Sequence, residues 1–469
     1  MRTLLWVIGL MLFPVFSQAQ AVSKKVETAV AALLADAQMK HAILGLYIIN
    51  SNTGELVYQK NGTTGLAAAS SQKVITAAAA YALLGNDYRF KTEVGYNGTI
   101  SNGTLQGDLV VKGFGDPTLG SVRYSATAPA AVFKDWGNRL KAHGIVAVQG
   151  SIKMDESAFT LQPTPGGWIW DDIGNYYGAG HYAINWRENQ YDLILQAGAK
   201  EGDTASIIRT VPALVDAVLV NQLATGKKGS GDNAFIYLPP YSNTGFITGT
   251  IPEGAKSFTI SGAFTWPARQ LQQEVINGAL YTSTPAKGQQ SQTNAAMLLA
   301  RGAIPSTTLF THYSPPLDSV VYWFLKKSVN LYGEALVRTI GFEKSGFGST
   351  EAGLTATFNF WRTVGVDSLA IRMKDGSGLS PQNRITPEAF VKVMQYARLQ
   401  PWFTGFYNAL PLYNGIKMKS GTIGGAKSFT GYVKSASGTE YTFSIIINNY
   451  NGSAAQIVNK MYKVLDVLK

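Results

Sequence analysis

The sequence predicts a multi-domain α/β protein in which an antiparallel sheet flanked by helices is interrupted by a large, mainly β insertion. Three observations predict it. Apolar residues at helical spacing occupy both ends of the chain. Between Phe90 and Trp266 the pattern changes to short alternating segments punctuated by Gly and Asn turns. From Phe429 the tail alternates strongly and closes in a further helical pattern.

In chain order, Arg2, the apolar run Leu4 to Phe16 and the small residues Ser17-Gln18-Ala19 read as a secretory leader cleaved after Ala19. The run is too short for a membrane span of about 20 residues, and no cysteine follows to carry a lipid. The expected mature protein is exported, periplasmic or secreted, begins near Gln20 and has no transmembrane anchor. Val22 to Gln38 predicts a helix, and Ile43 to Ile49 and Leu56 to Gln59 predict two strands joined by Asn50-Ser51-Asn52-Thr53-Gly54. Ala67 to Leu84 predicts one Ala-rich helix ended by Gly85-Asn86. After the β-rich middle, helical patterns return at Asp318 to Gly341, Thr350 to Val364 and Thr386 to Arg398. Phe429 to Val433 and Tyr441 to Asn448 predict a hairpin around Ser437-Gly438, and Ala454 to Leu468 a last helix. The Asn-Gly-Thr triplets at Asn61, Asn97 and Asn102 spell a glycosylation pattern that Asn-Gly turn chemistry already explains.

Composition excludes several chemistries. The 469 residues contain no cysteine, so thiol catalysis, Cys-ligated metal and disulfides are absent. The four histidines, His41, His143, His181 and His312, are far apart and none are spaced as a helical zinc site. No metal and no cofactor is expected, and catalysis falls to hydroxyls, amines and carboxylates. The net charge of +11 favours an anionic partner. Nucleic acid fits the charge but not the leader, whereas an anionic polymer outside the cell fits both.

Ser70-Ser71-Gln72-Lys73 precedes an apolar Ala-rich run. A serine needs a base to become a nucleophile, and residues three apart share a helix face, so Lys73 can reach the Ser70 oxygen. A helix N-terminus there adds N–H groups for a developing oxyanion. The tetrapeptide alone is also a common N-cap followed by a solvated lysine. Ser328-Val329-Asn330, inside the helical stretch Trp323 to Arg338, offers a hydroxyl and an amide two residues apart. Lys419-Ser420-Gly421-Thr422 precedes Gly424-Gly425 and a strand, where a glycine lets a substrate backbone lie close. Each motif has a bland reading as turn or cap chemistry. Their order, Ser-x-x-Lys, Ser-x-Asn, Lys-Ser-Gly, is far more specific.

With these motifs the chain resembles the penicillin-binding D-alanyl-D-alanine carboxypeptidases of the penicillin-binding-protein-4 type, the S13 peptidases. Supporting segments are Gly107 to Leu119, Gly167-Trp168-Ile169-Trp170-Asp171-Asp172, His312 to Leu317 and Asp375-Gly376-Ser377-Gly378-Leu379-Ser380. The resemblance implies a β-lactamase/transpeptidase-like catalytic domain from residues 20–88 and 305–469. It implies two inserted domains, one from 89–115 with 265–304 and one from 116–264. It implies Ser70 as acylating nucleophile, Lys73 as base, Ser328 as proton relay and Asn330 as the group holding Lys73 and the substrate amide. Lys419 and Ser420 would meet the terminal carboxylate of a peptidoglycan stem peptide. Gly421 belongs to the same motif, and the N–H groups of Ser70 and Thr422 would form the oxyanion hole. β-Lactam antibiotics would be covalent inhibitors.

Val329 stands where the family has Asp or Asn, Ser420 where Thr is commoner, Pro381 in place of an Arg and Gly424 in place of a Gln. Asp172 and Tyr177 match positions that hold the amine of the stem diamino acid. Two other readings remain: a serine β-lactamase or esterase on the same scaffold, and a non-catalytic peptidoglycan-binding protein. No glutamate in a dedicated deacylation motif supports the first, and the intact motif residues oppose the second.

Overall fold

The computed structural model describes residues 5–278 and 302–469. Residues 1–4 of the predicted leader, and residues 279–301 of the expected inserted segment 265–304, lie outside the described residues. Two compact units are present. The first comprises residues 1–83, 321–328 and 357–469, and the second residues 84–320 and 329–356.

The first unit is built on a six-stranded antiparallel sheet. Its strand order is Leu412–Tyr413, Ile416–Ile423, Ala426–Lys434, Glu440–Asn448, Ile43–Asn50, Leu56–Lys60. The predicted strands and both turns are present. Pairing of Ile43 with Asn448 through to Asn50 with Tyr441 joins the two chain ends in one sheet. That register puts Leu44, Leu46, Ile48, Phe443, Ile445 and Ile447 into one core with Val26, Val30, Ile457, Met461 and Leu465 of the terminal helices. The N-terminal helix is longer than the sequence predicts at its start and shorter at its end, running Leu5–Leu34. Asp36 stops it by capping a separate short turn, Ala37–Met39, through Gln38 N–H. No helix among the described residues is long and apolar enough to cross a membrane.

The second unit is mainly β, as its Gly/Asn punctuation predicts. One sheet orders Thr307–Tyr313, Lys91–Tyr96, Leu109–Gly113, Ile152–Asp155. Two three-stranded sheets follow, one centred on Gln190–Gln196 and one on Thr244–Pro252, with a core of Leu193, Leu195, Leu223, Ile236, Ile247 and Ile251. Asn102 of this unit, and Asn61 of the first, adopt the left-handed turn conformation that Asn tolerates. The helix Pro129–Ala142 is not predicted by the sequence reading. Pro129 opens it, and Val132, Trp136 and Leu140 form a buried stripe at helical spacing inside a segment otherwise rich in strands.

Candidate active site

Ser70 sits on a turn whose geometry differs from the single helix expected over Ala67 to Leu84. Ala69–Gln72 is a 3-10 turn, and the α-helix proper begins at Lys73 and runs to Leu84. Ala69 has φ +47, a left-handed conformation that costs a non-glycine residue energy and persists only where surroundings impose it. The surroundings are visible. Asn448 clamps the approach from the sheet, accepting from Ala67 N–H at 2.8 Å and donating to Ala67 O at 2.9 Å. Ser428 Oγ donates to Ala68 O and meets Ser71 Oγ at 2.7 Å, while Ser71 Oγ donates to Lys419 O at 3.1 Å. The turn is thereby pinned to the strand Ile416–Ile423.

The i, i+3 spacing delivers the expected pair: Lys73 Nζ lies 2.9 Å from Ser70 Oγ. Lys73 is fully buried, and its ammonium also donates to Ser377 O at 2.7 Å. Asp375, to which the motifs assign no role, fixes that carbonyl. Its carboxylate accepts from Gly378 N–H at 2.8 Å, Ser380 N–H at 2.6 Å and Asn383 Nδ2 at 2.9 Å. Gln72 Nε2 donates to Asp375 O at 2.7 Å, and Thr76 Oγ1 to Gly376 O at 2.7 Å. Phe324 lies with its ring 5.7 Å from Lys73 Nζ.

Lys419 is also buried, with its ammonium on Ser420 O at 2.8 Å. Burial, then Lys73, then Lys427 hold the Lys419 ammonium well below the ordinary lysine range. Crowding of like charges favours a neutral amine somewhere in the cluster. Gly421 is required at its position: a Cβ there would sit 2.1 Å from Ala68 O and 2.8 Å from Ser71 N. Thr422 is exposed beside it.

Ser328 does not lie within a continuous helix, as the sequence reading expects. The helix Leu317–Lys326 ends, Ser328 takes φ +59, Val329 is an N-cap, and a second helix runs Asn330–Ser345. A left-handed residue breaks the 3.6-residue ladder while both flanks keep helical periodicity, so the break is invisible to a pattern search. Ser328 belongs to the first unit; Asn330, Asp172 and Tyr177 belong to the second.

Within the second unit, Asn330 Nδ2 donates to Tyr177 O at 2.7 Å, which brings two of the expected site residues together. Tyr177 is on the short turn Tyr176–Gly178. Asp172 is half-buried, and burial together with the neighbouring Asp171 pushes its carboxyl up to about 6. Burial also raises the Tyr177 phenol to about 12. No group of three or more metal-ligating side chains occurs among the described residues.

The chain is similar to several known proteins. A D-alanyl-D-alanine carboxypeptidase of Actinomadura sp. (strain R39) is 28% identical over 457 residues, covering 90% of this chain and 81% of its own. The D-alanyl-D-alanine carboxypeptidase DacB of Haemophilus influenzae is 27% identical, covering 87% of this chain and 86% of its own. The crystal structure of penicillin binding protein 4 (dacB) from Haemophilus influenzae shares the fold with a TM-score of 0.77 at 23% identity, covering 94% of this chain and 99% of that one. The D-Ala-D-Ala carboxypeptidase 3 (S13) family matches residues 26–467, and the chain belongs to that family of serine peptidases.

Proposed function

We propose that this carboxypeptidase removes the terminal D-Ala of peptidoglycan stem peptides through an acyl-enzyme on Ser70. The observation that carries the reading is the 2.9 Å contact between Lys73 Nζ and Ser70 Oγ, on a turn pinned beneath the Lys-Ser-Gly strand. A neutral Lys73 amine takes the Ser70 proton as Oγ attacks the penultimate D-Ala carbonyl. The N–H groups of Ser70 and Thr422 receive the oxyanion, and Ser328 returns a proton to the leaving D-Ala amine. Water then hydrolyses the ester and regenerates Ser70. Lys419 and Ser420 serve the terminal carboxylate, with Gly421 admitting the substrate backbone, and Asn330 the substrate amide. β-Lactams acylate the same serine; a complex of the Haemophilus influenzae penicillin binding protein 4 with a β-lactam supports this. Arg2, the apolar run to Phe16 and Ser17-Gln18-Ala19 support export to a compartment that holds such a polymer.

The test is digestion of a stem pentapeptide and of cross-linked muropeptide dimers by the purified protein. Free D-Ala from the pentapeptide supports the reading. Monomers from dimers without D-Ala from the pentapeptide would replace it with an endopeptidase, and no product from either would leave a binding protein.

Asp172 is proposed to receive the side-chain amine of the stem diamino acid, with Tyr177 beside it. Asp172→Ala is expected to slow hydrolysis of amine-bearing stem peptides several-fold while penicillin acylation changes far less. An ammonium is attracted only by the ionised carboxyl, so the preference should fade as pH falls through about 6. Equal losses on both substrates would assign Asp172 to the fold instead.

A further inference from the structure

Lys427 is a lysine that neither the motifs nor the family match assigns. It lies directly across the ladder from Thr422, and its ammonium donates to Thr422 Oγ1 at 2.7 Å. Its side chain is buried, with the ammonium 5.0 Å from the centre of the Phe429 ring. No carboxylate among the described residues forms an ion pair with it. Burial pushes the ammonium down to about 8 with no counter-charge to raise it. A buried cation without an anion is costly, and one held against an exposed hydroxyl is poised for an anion supplied from outside.

The partner atom says where that anion sits. A hydroxyl has one donor and two acceptor positions. With one acceptor position of Thr422 Oγ1 filled by Lys427, the Thr422 proton is free to point away from the ammonium. Thr422 is exposed, and Lys419 and Ser420 lie three and two residues before it on the same strand. Lys419 feels Lys427 as a repelling charge, so the two ammonium groups share one field.

We infer that Lys427 is a specificity-determining residue that, through the Thr422 hydroxyl and its own charge, selects substrates ending in a free carboxylate. The inference rests on the carboxypeptidase reading above. Lys427 acts on the leaving residue, not on the acylated carbonyl, and it is a positioning residue: Thr422 makes the contact. An incoming carboxylate supplies the missing counter-charge for both Lys419 and Lys427.

The experiment compares kcat/KM for a D-Ala-D-Ala peptide and for the same peptide with a C-terminal amide, in wild type, Lys427→Met, Lys427→Arg, Thr422→Val and the Lys427→Met/Thr422→Val double variant. The readout is the carboxylate-to-amide ratio. Lys427→Met should lower that ratio about tenfold, chiefly through KM, and Lys427→Arg should restore most of it. Thr422→Val should lower it similarly, with the double variant no worse than the worse single one. A ratio unchanged in Lys427→Met, or parallel losses on both peptides, would overturn the inference by making Lys427 inert or merely structural. Additive effects would overturn the coupling through Thr422. A wild-type protein that releases no D-Ala would fail the carboxypeptidase reading itself, an outcome distinct from an altered ratio in an active enzyme.

Discussion

A Lys73→Arg variant is expected to fold, keep its positive charge and acylate about 10²- to 10⁴-fold more slowly than wild type. The proposed mechanism requires a neutral amine one hydrogen bond from Ser70 Oγ, a state that a guanidinium does not reach at working pH. Lys73 is fully buried, and its charge helps to hold the neighbouring Lys419 ammonium below the ordinary lysine range. Time-resolved labelling with a fluorescent penicillin measures the rate, with a thermal melt to verify folding. Acylation within a few-fold of wild type would rule out Lys73 as the obligate base.

Gly421→Ala is expected to be comparably damaging for a different reason. The added methyl would meet the Ala68 carbonyl oxygen at 2.1 Å and the Ser71 nitrogen at 2.8 Å, both backbone atoms that cannot rotate away. The strand must retreat from the Ser70 turn, and the Thr422 N–H retreats with it. Losing one oxyanion donor costs about 10²- to 10³-fold in turnover. Overpacking adds about 1–3 kcal/mol of destabilisation. Turnover of a D-Ala-D-Ala peptide together with a denaturant titration separates the two. A variant with native stability and near-native turnover would show that this strand does not supply the donor.

The sequence carried the architecture where local pattern and global fold agree. The alternation of Tyr441 to Asn448, the Asn50 to Gly54 turn and the capped helix from Ala454 all form as expected, because each is decided by neighbours in sequence. The segments of two of the three motifs, around Ser70 and Lys419, meet through Ser71 Oγ and Lys419 O. What the sequence did not reveal is where tertiary contacts override local preference. The left-handed Ala69 is imposed by Asn448 and Ser428, which lie more than 350 positions away. The left-handed Ser328 splits a run whose periodicity continues on both sides. The helix Pro129–Ala142 is hidden by the strand-rich context around it. Lys427 escaped because the strand was expected to begin at Phe429. It begins at Ala426, and only the Thr422 to Lys427 register shows which side chains meet. Asp375 works through backbone amides, which a motif search does not see.

The central claim is that Ser70 is the acylated nucleophile, and mass spectrometry of the protein after incubation with benzylpenicillin tests it most directly. The account predicts one penicillin added per chain, carried by the peptide that contains Ser70, and no adduct on a folded Ser70→Ala variant. A folded Ser70→Ala protein that still gains the adduct, or a wild-type adduct on any other residue, would contradict it.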